Sequence, residues 1–255
     1  SGAVLSKDLA GAISMRLQPL ARREGFANPS ELIGAARTRA DGAIWSAVAD
    51  CLTQSDTRFF RDRSVFEKFH KQILPEAIAT RDHAPVRIWS AGCATGQEPY
   101  SIAMIVEEMR HEGLAPNVDI VATDFSERLL EKARAGLYTQ FEIQRGLPIR
   151  KLIAFFEKAG DLWRIADRLR AGVRFEQQNL MKHPGELGQF DIIVLSHVLP
   201  AFDVETRVDV LRRTAEALAP NGVVLLGAGE TLPPACDVLV LEHGVARKPS
   251  ARKAA

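Results

Sequence analysis

The stretch Val86–Met109, VRIWSAGCATGQEPYSIAMIVEEM, decides the fold of this 255-residue chain. An apolar run with β-branched and aromatic residues stops at Ala91-Gly92, and a loop of small residues carries a second glycine, Gly96. Glu98-Pro99 then opens a segment with Ile102, Ile105, Val106 and Met109 at helical spacing. Strand, glycine turn and helix in this order is how an α/β protein holds a nucleotide-like ligand. Glycine lets the backbone pass close to the ligand, and Pro99 with acidic Glu98 suits a first helical turn. The spacing is Gly-x-x-x-Gly rather than G-x-G-x-x-G, and no Gly-Lys-Ser/Thr follows, which counts against dinucleotide and P-loop readings.

Working outward, Val118–Asp124 (VDIVATD) reads as a second strand ending in a carboxylate. In doubly wound sheets an acid at this strand tip accepts hydrogen bonds from both hydroxyls of a ribose. An adenosyl ligand without a pyrophosphate fits the pattern, and S-adenosylmethionine is such a ligand. Capping of the helix that begins near Glu127 is the plainer role for Asp124.

Composition bounds the rest. A hydrophobic share of 46% and a charged share of 25% describe a globular chain with a substantial core. The net charge of +1 gives no electrostatic support for nucleic-acid or membrane binding. Cys51, Cys93 and Cys236 are too widely spaced for a disulfide framework or a zinc pattern, so no metal is expected and a reducing cytoplasm fits. No apolar run approaches the roughly 20 residues that span a bilayer, and no signal-peptide pattern is read at the start.

Leu5 to Ala49 is helical in pattern, with Leu9, Ile13, Leu17 and Leu20 on one stripe and Arg16, Arg22 and Arg23 off it. Pro19 is expected to kink or split that helix, and Pro29-Ser30 to start a second one. Residues 1–80 are therefore read as an N-terminal helical domain with a linker helix over Val65–Ile78, and 81–255 as the ligand-binding domain. Beyond Asp124 a helix over Glu127–Ala135 leads to an insert at about 137–172, with a helix over Pro148–Lys158 and a short strand at Leu162–Ile165. Further strands are expected at Val173–Leu180, Phe190–Leu199, Val223–Leu226 and, last, Asp237–Glu242, with Pro220-Asn221-Gly222 as a turn. The fold class is α/β, a mostly parallel twisted sheet covered by helices on both faces. Gly92, Asp124, Asn179, Ser196 and His197 would converge at the strand tips.

TRFFRD, RIWSAGCATGQEPYSIA, ATDFSERLLEKARAGLY, VRFEQQNL and the frame from FDIIVLSHVL to LLGAGE together resemble CheR-type methyltransferases, over nearly the whole chain. The resemblance implies a Rossmann-like class I methyltransferase sheet, a small N-terminal all-helical domain and a small inserted β-subdomain. It implies S-adenosylmethionine-dependent methylation of glutamate side chains on bacterial chemoreceptors in the cytoplasm, with S-adenosylhomocysteine as product. The family's cofactor contacts fall on Thr57, Arg61, Glu98, Asp124, Asn179 and Leu180, and Gly92 lies at the turn. Ser55 stands where the family usually has Asn. Ser196-His197 and Ala201-Phe202 replace the family's Arg-Asn and Tyr-Phe, although Ser196 and His197 still occupy a strand tip facing the cofactor.

A glutamate with a reference pKa of about 4.3 is ionised near neutral pH, so the reaction needs an oriented nucleophile and no general base. Arg61 is the candidate catalytic residue, orienting that carboxylate or holding the cofactor's own. A relative that binds the cofactor without turnover is the alternative that the replaced Arg, Asn and Tyr favour. The resemblance also implies that Arg16 and Arg22 meet the receptor's acidic methylation helices. The turn Glu157–Asp161 is too short to bind a receptor tail peptide.

Overall fold

The computed structural model describes residues 10–39, 42–52, 56–81, 84–114 and 116–249. Three helices come first: α1 (Ala10–Arg23), α2 (Pro29–Arg39) and α3 (Gly42–Leu52). Their apolar faces make a separate small core of Leu17, Leu20, Ala21, Leu32 and Val48. Arg16, Arg22 and Arg23 face outward as the stripe requires. Pro19 does not split α1. The amide bond it forfeits would have gone to the carbonyl of Met15, and both residues are exposed, where that oxygen is open to solvent. Asn28 caps α2 through Glu31 N–H at 3.0 Å, and Glu31 reaches back to Ala27 N–H.

The linker helix runs as α4 (Arg63–Lys68), a π turn over Phe69–Ile73 and α5 (Leu74–Ala79), turning Phe69, Ile73 and Leu74 into the core. Then β1 (Val86–Ala91), α6 (Gln97–His111), β2 (Val118–Asp124) and α7 (Glu127–Ala135) follow in the expected places. The insert contains β3 (Leu137–Tyr138), α8 (Gln140–Gln144), α9 (Ile149–Phe155), β4 (Phe156–Ala159), β5 (Leu162–Ile165) and α10 (Asp167–Ala171). Its helix stops at Phe155 rather than Lys158. Phe156 turns extended, buries its ring against Phe59 and Tyr138, and starts a strand that pairs antiparallel with β5 across Gly160-Asp161.

The remaining strands are β6 (Val173–Gln177), β7 (Phe190–Leu195), β8 (Leu218–Leu226), β9 (Val240–Glu242) and β10 (Val245–Arg247), with α11 (Val204–Glu216) between β7 and β8. Among the described residues the main sheet runs β6-β2-β1-β7-β8-β10-β9, and its first five strands are parallel. Four expectations need correction here. The strand expected over Phe190–Leu199 ends at Leu195, because His197 takes a positive φ and the chain leaves the sheet. The third core strand ends at Gln177, not Leu180, because Asn179 folds into a turn. Pro220-Asn221-Gly222 lies within β8 as a bulge, where the pairing jumps from Phe190–Leu218 to Ile192–Val223. The last strand is β10, since His243 and Gly244 both take positive φ and close a two-residue hairpin from β9.

Alternate residues of the sheet feed two cores. Ile88, Ile120, Ile192 and Val223 face α6 and the linker helix, whereas Trp89, Val121, Ile193 and Val224 face α11. The sheet is thus covered on both sides, and the strand order reverses between β1 and β7. A ligand crevice opens at that point, beside the strands' carboxyl ends. No helix among the described residues is long and apolar enough to cross a membrane.

Candidate functional site

The turn after β1 is held by backbone. Gly92 N–H and Cys93 N–H both donate to the Thr123 carbonyl at 2.8 Å, which fastens the β1 turn to the end of β2. Gly92 sits at φ +80°, and a Cβ there would approach Val198 Cγ2 to 2.7 Å, so only glycine fits. Ala94 N–H donates to Asp124 Oδ2 and Ser126 N–H to Asp124 Oδ1, each at 2.9 Å. Helix α7 is capped by Ser126 instead, whose hydroxyl takes Leu129 N–H at 3.1 Å. Asp124 is therefore free of capping duty. Burial raises its pKa, against the backbone donors. From the insert, Tyr138 donates its hydroxyl hydrogen to the Thr95 carbonyl at 2.8 Å and steadies the loop.

The tips of β7 and β8 are held by side chains. His197 stands at φ +58°, a left-handed conformation rare outside glycine. Its N–H and that of Gly227 both donate to Glu230 Oε2, at 2.8 and 2.6 Å. Its ring Nε2 donates to Asp62 Oδ2 at 2.6 Å, and Ala228 N–H donates to the same oxygen at 2.7 Å. A Cβ on Gly227 would come within 2.6 Å of the His197 ring, so the glycine admits the imidazole. The ring nitrogen Nε2 thus has a partner within the protein.

A small cavity of about 20 Å3 lies between the linker helix, the first turns of α6 and the tips of β7 and β8. Arg61, Asp62, Glu98 and Ser196 supply its polar lining, and Phe66, Ile102 and Leu225 part of its apolar wall. Ser90 Oγ donates to Glu98 Oε1 at 2.7 Å. Burial pushes the Glu98 pKa up to about 8, opposed by hydrogen bonds from Ser90 and Ser196 and by the nearby Arg61 charge. Arg61 is itself positioned by Asp56, whose backbone oxygen accepts from Nη1 and whose carboxylate lies 3.6 Å from Nη2. Arg145 of the insert pairs with the same Asp56.

Arg61, Glu98 and Ser196 are therefore brought together, with Asp124 and Gly92 at the adjoining β1–β2 tips. Thr57 is half-buried just upstream of Arg61, and Leu180 packs on the α11-side core. Asn179 Oδ1 accepts Met181 N–H within its own turn at 3.0 Å. Ser55 lies outside the described residues. Ala201 sits exposed in a short 3-10 turn, so no ring replaces the family's Tyr at this position. Asp62 and Glu230 are functional neighbours that sequence reasoning did not assign. Their signal was present only as the last letters of FFRD and GAGE.

The residues fit an adenosyl ligand. A glycine turn, an acid at the β2 tip and a cation beside a buried acid offer backbone clearance, acceptors and charge where such a molecule needs them. Fold and site thus define an S-adenosylmethionine-dependent methyltransferase. The family model "CheR methyltransferase, SAM binding domain" matches residues 55–243, and the chain belongs to that family. It is 38% identical over 234 residues to the chemotaxis protein methyltransferase of Vibrio parahaemolyticus, covering 91% of this chain and 84% of the relative. It is 35% identical over 235 residues to chemotaxis protein methyltransferase 1 of Pseudomonas aeruginosa, covering 91% and 85%.

Proposed function

We propose that the chain methylates glutamate side chains on the cytoplasmic helices of bacterial chemoreceptors, using S-adenosylmethionine and working in the cytoplasm. The observation that carries this is the cavity in which Arg61, Glu98 and Ser196 meet beside the β1–β2 turn. When bound, S-adenosylmethionine supplies a methyl group on a positively charged sulfur. Asp124 would accept the ribose hydroxyls, with Gly92 giving the backbone clearance and Thr57, Asn179 and Leu180 bordering the adenosyl group. Glu98 and Ser196 would face its amino-acid end.

The substrate carboxylate is already anionic, so the chain has to orient it and exclude water. Arg61 would do this through charge-assisted hydrogen bonds from its planar fork. Asp62 is the obvious competitor for that guanidinium. His197 and the Ala228 amide occupy its Oδ2 and keep it turned to the β8 side. That clamp keeps Asp62 off Arg61, so the incoming glutamate competes for the guanidinium with Asp56, which is exposed and shared with Arg145. An intact Arg61, Glu98 and Asp124 favours turnover over a binding-only role. The assay is label transfer from methyl-tritiated S-adenosylmethionine to a receptor cytoplasmic fragment. Label released by mild base is the expected result, because a glutamyl methyl ester hydrolyses; label resistant to base points to another acceptor.

A further inference from the structure

The insert carries the segment on which Arg61 stands. A Cβ on Gly146, just beyond α8, would lie 2.2 Å from the Phe59 carbonyl oxygen, so the two backbones are in direct contact. The Phe59 ring packs edge-on against Tyr138 at 5.0 Å and Phe156 at 5.5 Å, both from the insert. Phe60 takes φ +48°, a left-handed turn held by its N–H donating to Ser101 Oγ at 3.0 Å, and delivers the chain to Arg61. Arg145, the residue before Gly146, pairs with Asp56 Oδ1. The hydrogen bond from Arg145 and its charge, with the charge of Arg61, hold the Asp56 carboxyl below its ordinary pKa, so it is ionised near neutral pH.

Asp56 therefore lies between two guanidinium groups, and it reaches Arg61 in two ways. Its backbone oxygen accepts from Nη1, and its carboxylate Oδ2 lies 3.6 Å from Nη2. The backbone contact anchors Arg61 without a charge. The carboxylate is a rival of the substrate glutamate, since both seek the same fork of donors. At 3.6 Å Oδ2 is beyond ordinary hydrogen-bond reach of Arg61, whereas Oδ1 is hydrogen-bonded to Arg145. We propose that Arg145 is a positioning residue for methyl transfer: it draws the Asp56 carboxylate towards the insert and so leaves the Arg61 fork to the substrate. This rests on the reading that Arg61 orients the substrate carboxylate.

Label transfer to a receptor cytoplasmic fragment by the full chain tests it, with Arg145→Ala, Arg145→Lys, Asp56→Asn, the double variant of Arg145→Ala with Asp56→Asn, and Arg61→Ala as reference. Arg145→Ala should lower kcat/KM about two- to fivefold at low salt, the scale of an exposed charge pair, and less at high salt. Arg145→Lys keeps the charge and should recover most of the loss. Asp56→Asn keeps the backbone anchor and removes the rival, so it should lower KM, and in the double variant the Arg145 defect should vanish. A merely structural Arg145 would not give that rescue, because its defect would persist beside that of Asp56. S-Adenosylhomocysteine affinity should not move in either Arg145 variant. An unchanged kcat/KM in Arg145→Ala, a double variant no better than Arg145→Ala, or a parallel fall in S-adenosylhomocysteine affinity overturns the inference, and with Arg61→Ala inactive the reading of Arg61 still stands. A near-normal kcat in Arg61→Ala overturns both.

Discussion

The tips of β1 and β2 and the tips of β7 and β8 lie side by side at the carboxyl end of the sheet but are built by different means. At β1–β2 the contacts are backbone: Gly92, Cys93, Ala94 and Ser126 amides fix the turn and the carboxylate of Asp124. At β7–β8 they are side chains: Asp62, His197 and Glu230 lock three separate segments together. A backbone-built half depends on conformation and tolerates few residue types at its turn. A side-chain-built half can change residues while keeping its shape, and it is here that Ser196, His197 and Ala201 depart from the family pattern.

The largest expected effect breaks the backbone half. Gly92→Ala forces a side chain into the left-handed region and against Val198, and should lower stability by about 2–4 kcal/mol in denaturant unfolding. Next, Asp124→Ala strands the Ala94 and Ser126 amides, costing some stability, and weakens S-adenosylhomocysteine binding by about 1.5–3 kcal/mol in calorimetry. An unchanged dissociation constant removes Asp124 from the ribose.

Glu98 sharpens the comparison through pH. Its folded pKa of about 8 lies above the ordinary 4.5, so between these values the folded state holds a proton that the unfolded state has lost. Ligand-free stability should therefore fall as pH rises from 4.5 towards 8, by at most about 1.4 kcal/mol per pH unit from this group. Glu98→Gln should flatten that part of the profile, and an unaltered slope would mean that Glu98 titrates normally. The smallest effect lies outside both halves. Arg16 and Arg22 are exposed on α1, and charge reversal at both should raise KM for a receptor fragment about two- to fivefold at low salt, with less effect at high salt. Cofactor affinity should not move.

What the sequence made legible follows the same division. Local pattern specifies backbone-built features, so β1, the glycine turn, α6 and the acid of β2 could be read from one continuous stretch. The strand beyond His243-Gly244 was not foreseen, and the bulge inside β8 was read as a turn, because punctuation residues mark a turn without saying whether the sheet continues past it. Pro19 leaves α1 unsplit because the effect of a proline depends on which face of the helix it occupies. The Asp62–His197 pair joins residues 135 positions apart, and no local spacing announces it. Arg61 was legible as a residue without a simple structural excuse, but its anchor Asp56 was visible only in three dimensions.

Arg61 carries the central claim, that this cavity orients a glutamate for methylation. The most direct measurement is the rate of base-labile label transfer to a receptor fragment by wild type, Arg61→Ala and Arg61→Lys, each with S-adenosylhomocysteine affinity measured in parallel. The account predicts that Arg61→Ala loses at least about 10²-fold in kcat and that lysine, lacking the planar fork, recovers little of it. A near-normal kcat in Arg61→Ala at saturating cofactor would contradict it and leave Arg61 no part in orienting the substrate.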